Sequence, residues 1–562
     1  MSLEMLFPNF DELIRTPEDV QRLNETILQL AVQGKLVPQD ANDEPARELL
    51  KRTLEERKRL LEDKVIGRSG RDVEMDETQI SFDVPNQWSW VALADIGYIE
   101  RGVSFPSSAK ETSCLDGHIA CLRTTNIQTN VDWSDLIFVP SNYVTSGAKL
   151  VRQNDIMISM ANSFELVGKV SFVDTLPIVA TFGGFIAAFR SIGEINTRYI
   201  YLVMKSRFMQ EMFRQSSSQT TNIANISLGR TYPLPFPLPP LAEQQRIVAK
   251  VDELFAQTRA LEARMRQAQE NVVTVNRAAL HRLHTAQDND KFQTAWHTIR
   301  DHFDVLYDDP RNVAELRQTI LDLAVRGKLV PQDPNDEPAE ELLKNIGGGK
   351  STKNGRKESL KPTRVSVRTD TLHDVPSSWV WAQFFEVANI ATNSTDPGLY
   401  PDLPHIAPNN IEKFTGRLLA YRTVAEDGVS SVNHHFFAGQ LLYSKIRPNL
   451  SKAVLIDFEG FCSADMYPIE SLIDARYLHL YVLSSTFLSM VTRNDTRVAM
   501  PKINQKALSK VPVAVPPLTE QQRIVAKVDQ LMRLCDTLEA GLAQTEASRS
   551  TLTQAVLHKI TT

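Results

Sequence analysis

Two stretches of this chain carry a narrow apolar stripe at helical spacing for about 40 residues with no internal proline. The first runs through Ile247, Val251, Leu254, Leu261, Met265, Ala268 and Val272. The second runs through Ile524, Val528, Leu531, Leu538 and Leu542, then Leu552, Val556 and Ile560. Each predicts a helix that can reach ~60 Å at 1.5 Å per residue. A stripe this narrow is a seam, so the two helices are expected to pair antiparallel as a coiled coil. Pro239-Pro240 and Pro516-Pro517 open them, and Glu243 and Glu520 fall in the first turn, where the helix dipole favours acid. Thr519 with Gln522 predicts a capping box in the second copy; the first has Ala242 instead. A shorter amphipathic helix (Val20, Leu23, Ile27, Leu30, Ala31) is expected to end at a left-handed Gly34, with Pro38 blocking continuation, and Gly327 and Pro331 repeat this ending. Asp43-Glu44-Pro45-Ala46 opens another helix.

Between these helical stretches the period shortens. Asp155–Ser159, Lys169–Val173 and Gly184–Phe189 predict strands, followed by a helix over Arg198–Arg214. Further on, Gln440–Ser444 and Ala453–Asp457 predict strands, followed by a helix over Ala475–Thr492. Each of these two segments reads as an α/β globule.

The chain also repeats itself. Residues 23–51 and 316–344 share 23 of 29 positions, including GKLVPQD and NDEPA. Upstream, Phe10, Asp11, Leu13, Pro17, Val20 and Leu23 recur as Phe303, Asp304, Leu306, Pro310, Val313 and Leu316. PPLAEQQRIVAKVDEL at 239–254 returns as PPLTEQQRIVAKVDQL at 516–531, and VPNQWSW at 84–90 returns as VPSSWVW at 375–381. The offsets are 293, 291 and 277, so the segment between the last two blocks is about 14 residues shorter in the second copy. That segment shows almost no identity between copies. Two near-identical frames therefore hold two different inserts, as a device with two distinct recognition surfaces requires.

The expected division is a helical region at 1–75, an insert at 76–238, a central helical region at 239–345, a flexible basic linker at 346–370, a second insert at 371–515 and a C-terminal helix at 516–562. The fold class is α+β: two α/β domains joined by long antiparallel coiled-coil helices with pseudo-two-fold symmetry. If the copies are related by such an axis, the two chain ends must come together to mimic the central connection. Gly349-Lys350-Ser351 has the ending of a phosphate-binding loop, but Lys344 stands where its first glycine should be.

Composition changes this picture little. The net charge of −6 does not suggest nucleic acid. The inserts, however, are nearly balanced, with 12 basic and 11 acidic residues over 85–238 and 12 of each over 376–515. The acid excess therefore lies outside them. Cys114, Cys121, Cys462 and Cys535 have no metal-site spacing, which fits reduced thiols buried as small core residues in a cytoplasmic protein. No apolar run approaches the ~18 residues of a membrane span, and Met1–Asp11 lacks the character of a signal peptide.

Neither catalytic nor metal-binding residues are expected. Pro239-Pro240 and Pro516-Pro517 are flanked by leucine, unlike the Asn/Asp-Pro-Pro-aromatic loop with which adenine methyltransferases hold a flipped base. His434-His435 would point to opposite faces of a strand. Polar side chains suited to base edges and phosphates do cluster in the inserts. The first offers Arg123, Thr124, Thr125 and Asn126, then Ser159, Asn162 and Lys169, and the polar run 216–222 with Thr221 and Asn222. The second offers Asn409, Asn410, Ser444, Lys445, Arg447, Asn449 and Lys452, then Arg497 and Lys502. Aligning Asp155-Ile156 with Gln440-Leu441 sets Ser159 beside Ser444 and Asn162 beside Arg447.

The Pro-Pro-Leu-x-Glu-Gln-x-Arg-Ile-Val blocks closing two variable segments, with the repeated GKLVPQD stretch, resemble the specificity subunits of type I restriction–modification systems. The resemblance covers essentially the whole chain. It implies a non-catalytic subunit that reads a bipartite target in double-stranded DNA with two target-recognition domains. It implies as partners two adenine methyltransferase subunits and two restriction/translocase subunits. It also implies that S-adenosylmethionine, ATP and Mg²⁺ are used by those partners, with no cofactor on this chain. A coiled-coil scaffold that binds proteins is the competing expectation, separable by whether the chain prefers one DNA duplex over another.

Overall fold

The structure is a computed structural model that describes residues 13–67, 73–219, 223–286, 288–349, 372–492 and 501–561. The fold is α+β. Its main helices are α1 (Pro17–Val32), α2 (Ala46–Glu62), α3 (Thr197–Lys205), α4 (Arg207–Gln215), α5 (Leu241–Thr285), α6 (Asn289–Asp301), α7 (Pro310–Val325), α8 (Ala339–Gly349), α9 (Ala475–Leu483), α10 (Ser485–Thr492) and α11 (Leu518–Thr561). The chain divides into two compact units, residues 1–267 with 547–562 and residues 268–546. The division cuts through both long helices, α5 and α11.

In the first unit Ile247, Val251 and Leu254 of α5 share a core with Leu557 and Ile560 of α11 and with Val20, Leu23 and Ile27 of α1. In the second, Leu280 and Leu283 of α5 share a core with Ile524, Val528 and Cys535 of α11 and with Val313, Ile320 and Leu321 of α7. Within each unit, then, the start of one long helix meets the end of the other. The C-terminal residues reach back to the N-terminal segment, as the repeat requires. Arg549 donates to the Leu13 carbonyl at 3.1 Å and pairs with buried Asp19 at 2.5 Å, while Thr553 Oγ1 donates to the same carbonyl at 2.8 Å. The second unit closes with different ion pairs, Arg277 with Glu315 at 2.6 Å and Arg311 with Glu270 at 2.8 Å. There Asn312 stands where Asp19 does, and its Nδ2 donates to the Leu306 carbonyl at 2.6 Å.

The inserts share a topology that their sequences hide. In the first, β1 (Ser89–Ala92) and β12 (Pro235–Leu238) form an antiparallel ribbon at the entry and exit. Between them lies a sheet of β2 (Gly97–Arg101), β9 (Ile186–Ser191), β5 (Ile156–Ser159) and β7 (Val170–Phe172), in that order. A second sheet holds β4 (Ile137–Pro140), β3 (His118–Leu122) and β8 (Ala180–Phe182), and a small third one β10 (Ser217–Gln219), β11 (Ala224–Ile226) and β6 (Ala161–Asn162). In the second insert β13 (Val380–Gln383) and β23 (Pro512–Val515) form the ribbon. Its main sheet runs β14 (Ala388–Ile390), β22 (Met466–Ser471), β19 (Leu441–Ser444), β20 (Ala453–Leu455), the same order of equivalents. The other sheet runs β15 (Ser394–Thr395), β18 (Asn433–Phe436), β21 (Gly460–Cys462), β16 (Pro404–Ile406), β17 (Arg422–Thr423). Both inserts contain one parallel pair at corresponding places, β3 with β8 and β16 with β21.

The repeated motifs meet at one hydrogen-bonded node in each unit. Glu243 accepts from Trp88 Nε1 at 2.9 Å and from Gln39 Nε2 at 2.6 Å. Gln244 donates to the Pro239 carbonyl and accepts from the Asn196 amide that starts α3, both at 2.9 Å. Arg246 grips Asp43 with two nitrogens, at 3.2 and 2.6 Å. The second unit repeats each bond: Glu520 with Trp379 (2.9 Å) and Gln332 (2.6 Å), Gln521 with Pro516 and Asp474, Arg523 with Asp336. Gly34 and Gly327 sit at φ +68°, and a Cβ on either would fall 2.6 or 2.5 Å from the Cγ of Pro85 or Pro376. Glycine is thus required there twice over, by conformation and by space. The node fixes the insert to the frame.

Four expectations need correction. The helix expected over Arg198–Arg214 is two helices, because Ser206 (ψ 154°) leaves the helical region and its Oγ caps α4 at the Met209 amide; Ser484 interrupts the second copy, dividing it into α9 and α10. Thr519 forms no capping box, since α11 begins at Leu518 and the Thr519 hydroxyl donates to Asp336 at 2.5 Å. Residues 346–349 belong to α8, and the remainder of the expected linker lies outside the described residues. Cys114 is exposed, whereas Cys121, Cys462 and Cys535 are buried.

Candidate nucleic-acid interface

The strands β5 and β19 end at Ser159 and Ser444, each 1% exposed, and release the chain into the loops singled out by sequence. In the first insert the loop is held from three sides. The Met160 amide donates to the Phe185 carbonyl at 2.9 Å, and the Met160 carbonyl accepts from the Ile226 amide at 2.9 Å. Ala161 and Asn162 pair with Asn225 and Ala224. Lys169 Nζ donates to Gln128 Oε1 at 2.7 Å, and Ser171 Oγ donates to the Gln128 carbonyl at 2.5 Å, joining the Arg123–Val131 segment. The segments carrying Arg123–Asn126, Ser159–Lys169 and the flanks of 220–222 therefore converge.

The second insert repeats this construction. The Lys445 amide donates to the Asp465 carbonyl at 3.0 Å, and its carbonyl accepts from Ile503 at 2.9 Å. The Arg447 amide donates to the Pro501 carbonyl at 2.8 Å, opposite the same strand position as Asn162. Lys452 Nζ donates to the Pro408 carbonyl at 2.5 Å, bringing in the Asn409-Asn410 turn. Lys502 faces Asp465 at 3.5 Å.

Several candidates turn inward. Asn126 is 1% exposed and fully committed: its Oδ1 accepts from the Arg123 amide at 2.7 Å and its Nδ2 donates to the Asp132 and Asp135 carbonyls at 2.9 Å. Asn410 does the same work, accepting from the Ala407 amide and donating to the Ala420 carbonyl, both at 2.8 Å. Ser159 is buried beside Asn162 Nδ2, and Ser444 Oγ donates to the Ile446 carbonyl. These four side chains hold loops rather than face solvent. Arg123 is drawn to Asp135 at 2.7 Å.

Others reach solvent wholly or in part. Thr125, Asn409, Arg447, Asn449 and Lys502 are exposed, and Thr124, Asn162, Lys169, Lys445 and Lys452 are half-buried. Burial lowers the Lys169 pKa, and burial followed by the charge of Arg447 lowers that of Lys452. Lys445 Nζ lies 5.5 Å from the Tyr467 ring centre. Arg447 stands at φ +47°, a left-handed conformation that costs a non-glycine residue about 1–2 kcal/mol. The second insert thus gathers Lys445, Arg447, Lys452 and Lys502 where the first has Met160, Asn162 and Lys169. Thr221, Asn222 and Arg497 lie outside the described residues. Among the described residues no group of three or more His, Cys, Asp or Glu side chains is placed to hold a metal ion, and no helix is long and apolar enough to cross a membrane.

Sequence reading missed Gln128, Asp135, Phe185 and Asp465, which brace or share these loops. It also missed the Glu243 and Glu520 nodes, although every residue in them except Asn196 and Asp474 lies in a repeated block. Repetition in concert was the available signal.

Residues 85–270 and 377–545 each match the family described as "Type I restriction modification DNA specificity domain". The specificity subunit of type I restriction enzyme EcoDI of Escherichia coli is 33% identical over 367 residues, covering 65% of this chain and 69% of that protein. That of EcoAI, also from Escherichia coli, is 28% identical over 556 residues, covering 92% of this chain and 90% of its own. Among solved structures, the HsdS subunit from Thermoanaerobacter tengcongensis is 17% identical, with a TM-score of 0.38, 86% of this chain covered and 98% of that one.

Proposed function

This chain belongs to the family of type I restriction–modification DNA specificity subunits, and from that premise we propose that each insert reads one half of an asymmetric, bipartite target in double-stranded DNA. The observation that carries the reading is a constant frame with different tips. The two units repeat the Glu–Trp–Gln node, the strand order of the main sheet and the two backbone bonds that hold the residue after β5 or β19, yet equivalent positions two residues further on hold Asn162 in one and Arg447 in the other. A rigid frame positions, and the side chains at its tips specify. Arg447, exposed, suits a guanine edge with two bonds in a major groove, whereas Asn162 reads an adenine edge only by exchanging its bonds to Ser159 Oγ and the Ser163 amide.

Chemistry falls to partners on this reading. Two methyltransferase subunits bind the repeated helical regions, since a surface offered twice suits two identical partners. Two restriction/translocase subunits complete the complex. S-adenosylmethionine, ATP and Mg²⁺ are used there, with none bound by this chain, and the assembly works in the cytoplasm. The long helices α5 and α11 set the spacer between the half-sites. The test is a gel shift with the chain co-expressed with its methyltransferase partner. A cognate duplex should survive competition by a scrambled duplex by a factor on the order of 10³ or more at fixed salt. Equal competition by every duplex would leave the chain as a protein scaffold.

A further inference from the structure

Both inserts carry the same β-turn between the strand of the parallel pair and the strand that follows it. In the first, the Ile186 amide closes on the Gly183 carbonyl at 2.9 Å; in the second, the Met466 amide closes on the Ser463 carbonyl at 2.9 Å. Phe185 and Asp465 occupy the same place in these turns, and their carbonyls accept from Met160 and Lys445, the first residues after β5 and β19. The first turn is braced further. Gly183 donates to the Leu122 carbonyl at 3.0 Å, and Gly102 donates to the Ile186 carbonyl at 3.1 Å. At Gly102 a Cβ would fall 2.2 Å from the Gly183 oxygen, so the two backbones lie in direct contact. The side chain at this position is thus presented by a backbone without slack.

The two side chains have opposite chemistry. Phe185 is 67% exposed, and Phe164 (42%) and Ile223 (48%) lie on the two loop segments that meet at Met160. An aromatic ring held in water forgoes the favourable transfer that burial would give it. Asp465 adds a negative charge to a loop surface otherwise furnished with Lys445, Arg447, Lys452 and Lys502. An acid there opposes phosphate, and Lys502 at 3.5 Å offsets it only in part.

Resting on the DNA-recognition reading above, we propose that this turn position determines base specificity in each half-site. Phe185 packs against the C5-methyl group of a thymine in the major groove, and Asp465 accepts a hydrogen bond from the N4 amino group of a cytosine. The occupant is a base edge because the turn is hydrogen-bonded to the residue that opens the basic and polar loop. The bond that closes the turn and the bond that ties it to the loop are the same in both inserts, while the side chain at the tip differs in polarity.

The test uses the full chain with its co-expressed methyltransferase partner on the target found by mapping methylated adenines. Each thymine of the half-site assigned to the first insert is replaced singly by deoxyuridine, which removes only the methyl group. The wild type should bind about fourfold more weakly at one such position, the worth of one buried methyl. Phe185→Ala should bind thymine and deoxyuridine there equally, Phe185→Leu should restore part of the preference, and the other half-site should be unaffected. An unchanged thymine preference in Phe185→Ala, or a wild type indifferent to every methyl in that half-site, overturns the proposal. So does a wild-type rise in 2-aminopurine fluorescence that Phe185→Ala abolishes, which would make Phe185 a wedge between base pairs. In each of these cases sequence-specific binding persists and the DNA-recognition reading stands. Binding with no preference among duplexes would instead remove that reading itself.

Discussion

Replacing Glu243 by glutamine tests the node that joins insert to frame with the smallest possible change of shape. The carboxylate accepts two hydrogen bonds, from Trp88 Nε1 at 2.9 Å and Gln39 Nε2 at 2.6 Å, one on each oxygen. A glutamine amide accepts on one side only, so one donor faces an NH₂ group. Trp88 is 6% exposed, so the amide oxygen turns to it, and the NH₂ group faces Gln39, which is exposed and can turn its own amide or bond water. The cost is then the charge assistance lost from the two bonds, partly offset by removing a partly buried charge, for a net loss of about 1–2 kcal/mol in the first unit. Hydrogen exchange followed segment by segment is the suitable assay, because a chain of two compact units need not unfold in one step. Protection should fall in α1, β1 and β12 and hold in the second unit; Glu520→Gln should do the reverse. A loss below about 0.5 kcal/mol, or one spread equally over both units, would refute the node's assigned role. The pH dependence has a definite sign. Burial raises the Glu243 pKa, and the bonds from Trp88 and Gln39 only partly counter it. Its contribution to stability is therefore full below the ordinary glutamate range and declines as pH rises through the raised value, a slope that Glu243→Gln removes.

Arg549→Val leaves the Asp19 carboxylate, 1% exposed, with only the longer contact to Arg22 at 3.5 Å and should cost the first unit about 2–3 kcal/mol in denaturant unfolding. Asp19→Asn added to it should recover most of that, since the second unit uses Asn312 and Val272 at the equivalent positions; no recovery would break the equivalence. Burial pushes the Asp19 pKa up, but hydrogen bonds from Arg549, Thr16 and Arg15 outweigh this and hold it low. Its contribution is thus full above the ordinary aspartate range and is lost as pH falls through the depressed value. Gly327→Ala, at φ +68° with Pro376 Cγ 2.5 Å from the new Cβ, should lower second-unit stability by more than 1 kcal/mol, read by the same exchange assay. Arg447→Ala should weaken cognate binding by about 1–3 kcal/mol and relax one base position while the complex stays assembled; loss of assembly would make Arg447 structural. Inserting four residues in register in both α5 and α11 lengthens each helix by ~6 Å and should lengthen the spacer of the methylated site by about two base pairs.

How far the sequence could be read is clearest at these same residues. The repeats disclosed the frame, the ends that meet and the glycines at φ +68°, because each depends on local pattern and on copies that can be compared. The strands at Ile156–Ser159 and Leu441–Ser444 were legible from apolar runs, and they set Ser159 and Ser444 at corresponding ends. Ser206 and Ser484 were not legible as breaks, since the apolar pattern passes through them and only the backbone turn reveals a cap. The loop residues divided for a similar reason. Asn126 and Arg447 are both polar and both in loops, yet one closes a turn with three hydrogen bonds and the other stands exposed. Periodicity cannot separate a side chain that bonds its own loop from one that faces solvent. Phe185 was hidden in an apolar run that reads as strand, although it is the turn before the strand begins.

Whether a constant frame presents two different reading tips to DNA is decided by mapping methylated adenines in the DNA of cells with and without this gene. The expected result is one additional motif, present only with the gene, made of two unlike halves separated by a spacer of fixed length. An identical methylation map in the two cells, or a single uninterrupted motif, would contradict it.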